Sequence, residues 1–211
     1  MKIIAHRGMW CRPEEKNTLK SLAASFDLGI GVETDVRDCD GTLVVSHDPP
    51  RAEGALQLNA LLEAYVARPK RPALALNIKA DGLQTLLLTA LRRYAIENYF
   101  VFDMSVPDTL GYQRLHMPFA ARISEYEPSN VLAQTAQWIW LDAFHGEWYD
   151  AARVQSWLDQ GKRVAVVSPE LHRRPHLLQW EVLKAVHEHP HLYLCTDLVA
   201  QAGEFFDVDN H

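Results

Sequence analysis

The chain has 211 residues, is 48% hydrophobic and 23% charged, and carries a formal net charge of −6, ordinary values for a globular protein. That acidic balance, with a pI near 5.9, argues against nucleic acid as the main partner, because such proteins present a basic face. It leaves open a small phosphate-bearing substrate, whose charge a few local cations or one metal ion can meet. No run approaches the roughly 18 apolar residues of a membrane span, and the opening MKIIAHRGMW has too short an apolar stretch for a signal-peptide core. Cys11, Cys39 and Cys195 are an odd, widely spaced set, which reads as reduced thiols in a cytoplasmic protein rather than a disulfide framework or a zinc site. The length suits one domain over residues 1–211.

Along the chain, short apolar runs alternate with helix-like segments. A strand is expected over Lys2–Ala5, then a helix over Thr18–Leu28, capped by Asn17 and stopped by Gly29. Strands follow at Gly31–Val36 and Leu43–Ser46. Only the tight turn Asp38–Gly41 lies between these two, so no crossover helix fits and a hairpin-like excursion is expected. Helix Leu58–Val66, strand Ala73–Ile78, helix Gly82–Tyr94 and strands Tyr99–Asp103 and Phe119–Ile123 come next. Then come helix Val131–Gln137, capped by Ser129 or Asn130, strand Trp138–Ala143, helix Ala151–Gly161, strand Arg163–Ser168, helix Leu177–His189 and strand Leu192–Thr196. The tryptophan-rich stretch Trp138–Trp148 is expected to pack in the core. Such alternation predicts a parallel sheet with helices outside it. The fold class is α/β, a compact (β/α)8 TIM-type barrel, with a doubly wound open sheet as the alternative.

In such folds reactive groups gather at the C-terminal ends of strands. Here those ends read His6-Arg7-Gly8, Glu33-Thr34-Asp35, His47-Asp48 and Asn77-Ile78-Lys79. Glu33 and Asp35 are two apart on a strand, so both carboxylates leave the same face. Two like charges together call for a positive partner, either a divalent cation with oxygen ligands or nearby Arg and Lys side chains in ion pairs. His6 could serve as a general acid or base or hold structure. Arg7 offers a fork for phosphate or carboxylate, and Gly8 allows a sharp turn or a close approach. His47 ends a second strand, with Asp48 placed to orient it. Two histidines reaching opposite sides of one phosphorus would form an acid/base pair. Asn77 can give a metal a neutral oxygen, while Lys79 can neutralise phosphate or simply reach solvent.

The ordered set H-R-G, N-T before a helix, E-T-D, H-D and N-I-K resembles the glycerophosphodiester phosphodiesterase family, and the related sphingomyelinase D toxins that share its barrel. The matching residues are His6, Arg7, Gly8, Asn17, Thr18, Glu33, Asp35, His47, Asp48 and Lys79, with weaker signals at Phe102-Asp103 and Thr196-Asp197. The resemblance implies a TIM-type barrel and one divalent cation held by Glu33 and Asp35; by the residues themselves Asn77 adds a neutral oxygen, and an oxygen set of this kind suits Mg²⁺ or Ca²⁺, with Mn²⁺ also suitable. It implies His6 and His47 as the acid/base pair and Arg7 and Lys79 on the substrate phosphate. The activity implied is hydrolysis of a glycerophosphodiester to glycerol 3-phosphate and an alcohol. The alternatives are a lyase that releases a cyclic phosphate and a non-catalytic barrel that binds a phosphorylated ligand. Two departures stand out. Asn77 occupies a position where the family usually has Glu, which predicts weaker cation binding. Only 28 residues separate Asp48 from Asn77, where many family members carry a small extra subdomain, which predicts a more open site.

Overall fold

The computed structural model describes residues 1–51, 54–128 and 131–208. Its residues fall into two compact units, one formed by Ala5–Phe119 and the other by Met1–Ile4 with the residues from Ala120 on. The chain passes from one to the other inside its first strand.

The Ala5–Phe119 unit is built around β2 (Gly31–Cys39). Its first six residues are buried, as a strand covered on both faces requires. β1 (Lys2–His6) leads into it, followed by α1 (Leu19–Leu28). β2 pairs in parallel with β5 (Leu74–Ile78), and β5 with β6 (Tyr99–Phe102). The far end of β2 turns at Asp40 and Gly41, both in the left-handed region, and pairs antiparallel with β3 (Thr42–Val45). The expected excursion is therefore a true hairpin, its turn made of residues that tolerate positive φ. β3 pairs in turn with a two-residue strand, β4 (Leu56–Gln57), too short for its sequence to announce. Helices α2 (Leu58–Val66), α3 (Gln84–Arg93) and α4 (Val106–Arg114) complete this unit. Leu58, Leu61, Leu62 and Tyr65 form the buried stripe of α2, and Phe26 of α1 meets Tyr65 edge to face.

The other unit carries the parallel strands β7 (Ala120–Ile123), β8 (Trp138–Leu141), β9 (Arg163–Val167) and β10 (Leu192–Thr196). They are interleaved with α5 (Val131–Thr135), α6 (Ala151–Asp159), α7 (Leu177–Lys184) and α8 (Val199–Phe205). Trp138, Trp140 and Trp180 are buried in this unit, as expected for the first two. The indole N–H of Trp180 donates to Ser168 Oγ at 2.8 Å, so the ring is buried without stranding its polar atom.

All nine expected strands are present, Leu192–Thr196 with its expected bounds and the others with ends moved by at most three residues. Setting aside the antiparallel β3 and β4 leaves eight strands among the described residues. Several helix boundaries differ for local reasons. α1 is capped by Thr18, whose hydroxyl accepts from Ser21 N, and not by Asn17. Asn17 has φ 57, and its side chain is committed elsewhere, as described below. α3 starts at Gln84 because Gly82 has φ 85 and gives its N–H to Asp108 Oδ1 at 2.9 Å. α5, α6 and α7 stop at Thr135, Asp159 and Lys184, short of the expected ends. The expected Ser129/Asn130 cap lies outside the described residues. Cys11, Cys39 and Cys195 form no disulfide among the described residues. No helix among the described residues is long and apolar enough to cross a membrane.

Two glycines with positive φ differ in what they protect. At Gly29, the C-cap of α1 with φ 74, a Cβ would meet only the flexible Lys70 side chain. At Gly8, φ 86, it would come within 2.6 Å of the Ser21 backbone in the first turn of α1. Gly29→Ala should therefore cost about 1 kcal/mol, the ordinary cost of a left-handed alanine. Gly8→Ala should cost at least twice that, because backbone must move. Thermal denaturation of the two variants side by side checks the ranking, and equal losses would mean that the Gly8 turn can open freely.

Candidate functional site

The candidate site residues His6, Arg7, Glu33, Asp35, His47, Asn77 and Lys79 lie in the Ala5–Phe119 unit, whereas Thr196 and Asp197 lie in the other, and the backbone of β2 explains how segments far apart in sequence meet. In a strand, residues i and i+2 send their carbonyls to the same edge as well as their side chains to the same face. Arg7 N donates to Glu33 O at 2.9 Å, and Ser46 N donates to Asp35 O at 3.0 Å. Where β1 ends, the end of the hairpin strand takes over the same edge, two residues or about 6.6 Å further along. The segments carrying His6-Arg7 and His47 thus leave β2 at consecutive positions on one edge. On the other edge Lys79 N donates to Val36 O at 3.0 Å, and Asn77 is the direct partner of Asp35 in the parallel register. Asp35 and Asn77 therefore face the same way.

Glu33 and Asp35 are buried, at 2% and 0% exposure. Their two carboxylates are served unequally. Asp35 Oδ2 accepts from Asn17 Nδ2 at 2.8 Å and lies 2.9 Å from Arg7 Nε, while Lys79 Nζ is 3.4 Å from Oδ1. Both cations expected on a substrate phosphate thus stand against Asp35, in the ion-pair arrangement that was the alternative reading of the carboxylate pair. Glu33 has less support: His6 Nε2 is 3.8 Å from Glu33 Oε2, which makes no hydrogen bond. Burial pushes the Glu33 carboxyl up to about 7, the neighbouring Asp35 charge adds to the rise, and His6, Arg7 and Lys79 oppose it.

His6 is partly buried, and its carbonyl accepts from the indole of Trp10 at 3.3 Å. His47 is the more exposed of the two histidines, with Nδ1 2.9 Å from Asp48 Oδ1 and its carbonyl accepting from Arg37 Nε. Asp48 is thus where it was expected, beside the ring it would orient. Arg7 adopts φ 58 and Asn17 φ 57, conformations that cost a non-glycine residue about 1 kcal/mol or more. Both are held by the chain around them, Arg7 through its bond to Glu33 O and Asn17 through its own N–H to Arg7 O at 3.0 Å. Asn17 also accepts from the buried Thr34 Oγ1 at 2.8 Å. The sequence pointed to Asn17 as a cap and gave Thr34 no part. The N-T pair before the helix was the available signal, since its Thr does the capping and frees its Asn.

Glu33 Oε2, Asp35 Oδ1 and Asn77 Oδ1 are all buried without a hydrogen bond. These oxygens on adjoining strands, of which Asp35 Oδ1 also has the Lys79 ammonium at 3.4 Å, are of the hard type that suits Mg²⁺, Ca²⁺ or Mn²⁺. Orphaned acceptors of this kind are costly unless something positive meets them. Among the described residues no cluster of three His, Cys, Asp or Glu suited to a metal is found.

Solved structures of similar fold support the architecture. A glycerophosphodiester phosphodiesterase from Agrobacterium tumefaciens matches with a TM-score of 0.72 at 17% identity, over 98% of this chain and 99% of its own. One from Parabacteroides distasonis matches at 0.68 and 17% identity, over 100% and 98%. A phosphodiesterase from Oleispira antarctica, solved with the product sn-glycerol-3-phosphate, matches at 0.67 and 17% identity, over 98% and 97%. Phosphoribosyl anthranilate isomerase from Thermus thermophilus also matches, at 0.52 and 13% identity over 94% and 88%. No family model and no curated protein sequence matches the chain. The fold is therefore the expected α/β, (β/α)8 TIM-type one, not a doubly wound sheet, and it is a fold that hosts unrelated chemistries.

The unequal support of the two carboxylates has a measurable consequence. The folded-state pKa of Glu33 is raised, so its ionisation opposes folding increasingly as pH rises from about 4.5 through 7. Glu33→Gln removes that cost. In chelator the variant should melt higher than the wild type at pH 8, by several degrees at roughly 2–4 °C per kcal/mol. The gap should close near pH 5. A variant that is less stable at both pH values would mean that the Glu33 carboxylate is already compensated.

Proposed function

We propose that this protein is a cation-dependent phosphodiesterase that cleaves glycerophosphodiesters or related lipid-derived phosphodiesters to glycerol 3-phosphate and an alcohol. The observation that carries this reading is the set of orphaned oxygens on Glu33, Asp35 and Asn77, with Arg7 and Lys79 beside them. The solved structures of like fold raise its prior, including the one holding sn-glycerol-3-phosphate. Three widely spaced cysteines with no disulfide among them suit a reducing compartment, and we place the enzyme in the cytoplasm.

Charge bookkeeping favours an anionic ligand. Arg7 and Lys79 already balance the two carboxylates, so a divalent cation held by Glu33, Asp35 and Asn77 would leave the site about two charges positive. A phosphodiester monoanion would offset one of them. When bound there, such a cation would stabilise charge on the phosphoryl oxygens and acidify the nucleophile. Arg7 and Lys79, each with about a fifth of its side chain exposed, keep further N–H donors for the phosphoryl oxygens. One histidine of the pair His6/His47 takes a proton from the attacking hydroxyl, water or the neighbouring 2-hydroxyl of the glycerol. A P–O bond forms, the bond to the leaving alcohol breaks, and the other histidine protonates the departing oxygen. Asp48 holds the His47 ring for its part. Attack by the 2-hydroxyl gives a cyclic phosphate first, and water must then open it to complete hydrolysis.

A binding-only barrel is the second reading, favoured by the pairing of both cations with Asp35 and by the amide at position 77. It would hold glycerol 3-phosphate without turning over any diester.

The test is a screen of glycerophosphocholine, glycerophosphoethanolamine, lysophospholipids and bis(p-nitrophenyl) phosphate with Mg²⁺, Ca²⁺ or Mn²⁺, with products followed by phosphorus NMR. We expect turnover that chelator abolishes. His6→Ala and His47→Ala should each lower kcat by about 10²–10⁴ while leaving the melting temperature near the wild-type value. No turnover with any cation would favour the second reading, and full activity in both variants would remove the acid/base assignment. Asn77→Asp should tighten Mn²⁺ binding, measured calorimetrically, by adding a formal charge to the donor set. An unchanged affinity would take Asn77 out of that set.

A further inference from the structure

Beyond the residues just assigned, the structure assigns Asn17 a positioning role, with Thr34 as its anchor: together they set the rotation of the Asp35 carboxylate. The inference rests on the cation reading above and names a part of the machinery which that reading leaves out.

A carboxylate buried at the end of a strand can turn about its last torsion, which is broad and roughly two-fold. Whichever oxygen is tied down decides which one is left bare. Here Oδ2 is tied by Asn17 Nδ2 at 2.8 Å, with Arg7 Nε at 2.9 Å, and Oδ1 makes no hydrogen bond and has only the Lys79 ammonium near it, at 3.4 Å. An amide can flip, and the flipped form would set Asn17 Oδ1 against the Asp35 carboxylate, acceptor against acceptor. The carboxylate, an acceptor only, excludes the flipped form, and the fully buried Thr34 hydroxyl donates to the outward-turned Asn17 Oδ1 at 2.8 Å, which holds the amide in its plane with the N–H₂ facing Asp35. Thr34 and Asp35 are neighbours whose side chains leave opposite faces of β2, and the single Asn17 amide reaches both. Its backbone N–H also holds Arg7 O. One residue in a left-handed conformation, φ 57, thus fixes the carboxylate offered to the cation and the turn that carries a phosphate-facing guanidinium. Asparagine is among the few non-glycine residues that tolerate that conformation.

Mn²⁺ alone is the probe, titrated by isothermal calorimetry into chelator-treated wild type, Asn17→Gly, Thr34→Val and Thr34→Ser, with the melting temperature of each metal-free protein recorded. Asn17→Gly keeps the backbone conformation and removes the amide. It should weaken Mn²⁺ binding by about 10- to 100-fold, the usual effect of removing a group that orients a ligand. Thr34→Val keeps shape and removes the hydroxyl, and should weaken binding by a smaller factor. Thr34→Ser should restore it, although serine loses the same methyl packing that a purely structural role would need. Wild-type affinity in Asn17→Gly and Thr34→Val, or a Thr34→Ser as weak as Thr34→Val, would overturn the inference while the cation site stands. If Asn17→Gly fails to fold, the valine and serine pair decides. A wild type that takes up no Mn²⁺ at millimolar levels would remove the cation reading and this inference with it.

Discussion

Two carboxylates two residues apart on a buried strand are the constraint from which the Ala5–Phe119 unit takes its character. Each is expensive to bury, by several kcal/mol, unless paired and hydrogen-bonded. The protein settles this for Asp35, with Asn17, Arg7 and Lys79 gathered round it. It does not settle it for Glu33, whose Oε2 makes no hydrogen bond and whose carboxyl is held near neutrality. A core optimised for stability alone would have replaced that residue. Unmet negative potential at one point is what gives an added positive charge somewhere favourable to go, and such local costs are what functional sites retain.

The surrounding chain is arranged to keep the pair in register. β2 is bonded along one edge by Arg7 and then Ser46, and along the other by β5 and Lys79. Each bond lies at, or one residue from, the point where a reactive side chain departs, so the backbone ladder transmits its precision to the site. Gly8 serves the same end from outside, because only a residue without Cβ lets the turn after His6 lie against the first turn of α1. The strain at Arg7 and Asn17 is the cost of turning the chain sharply enough to bring both beside Asp35.

Much of this was legible in the sequence because strand periodicity is two. Short apolar runs, several rich in Val, Ile and aromatics, marked the strands, and the E-T-D spacing alone put two carboxylates on one face. The hairpin could be read from the brevity of Asp38–Gly41. α4 could not be read, since Val106–Arg114 carries Pro107 and Gly111 and has only Asp108, Thr109 and Tyr112 buried, a weak apolar stripe. α8 is short and follows the last strand with hardly a turn signal. In the site, the missed relations were those between side chains from different segments. That Arg7 and Lys79 would close on Asp35, and that Asn17 would leave its helix to Thr18, depends on β1, β2 and β5 lying side by side, which no local pattern encodes.

Asn77 shows how one uncharged residue shifts the balance of such a site. A carboxylate there would add a third negative charge opposite Asp35, in a group whose two existing cations are already spent. The amide leaves the oxygen and removes the charge, so a bound divalent ion would be held less firmly and the site as a whole would be more positive. On the proposed reaction this matters most after cleavage. The diester enters with one negative charge, and the monoester product leaves with nearly two. With a cation bound, a site about two charges positive would hold such a product better than the substrate, so the amide that would strengthen attraction for an incoming diester would also slow departure of the monoester. On that reading, release of the phosphomonoester and not P–O cleavage would set the rate of turnover.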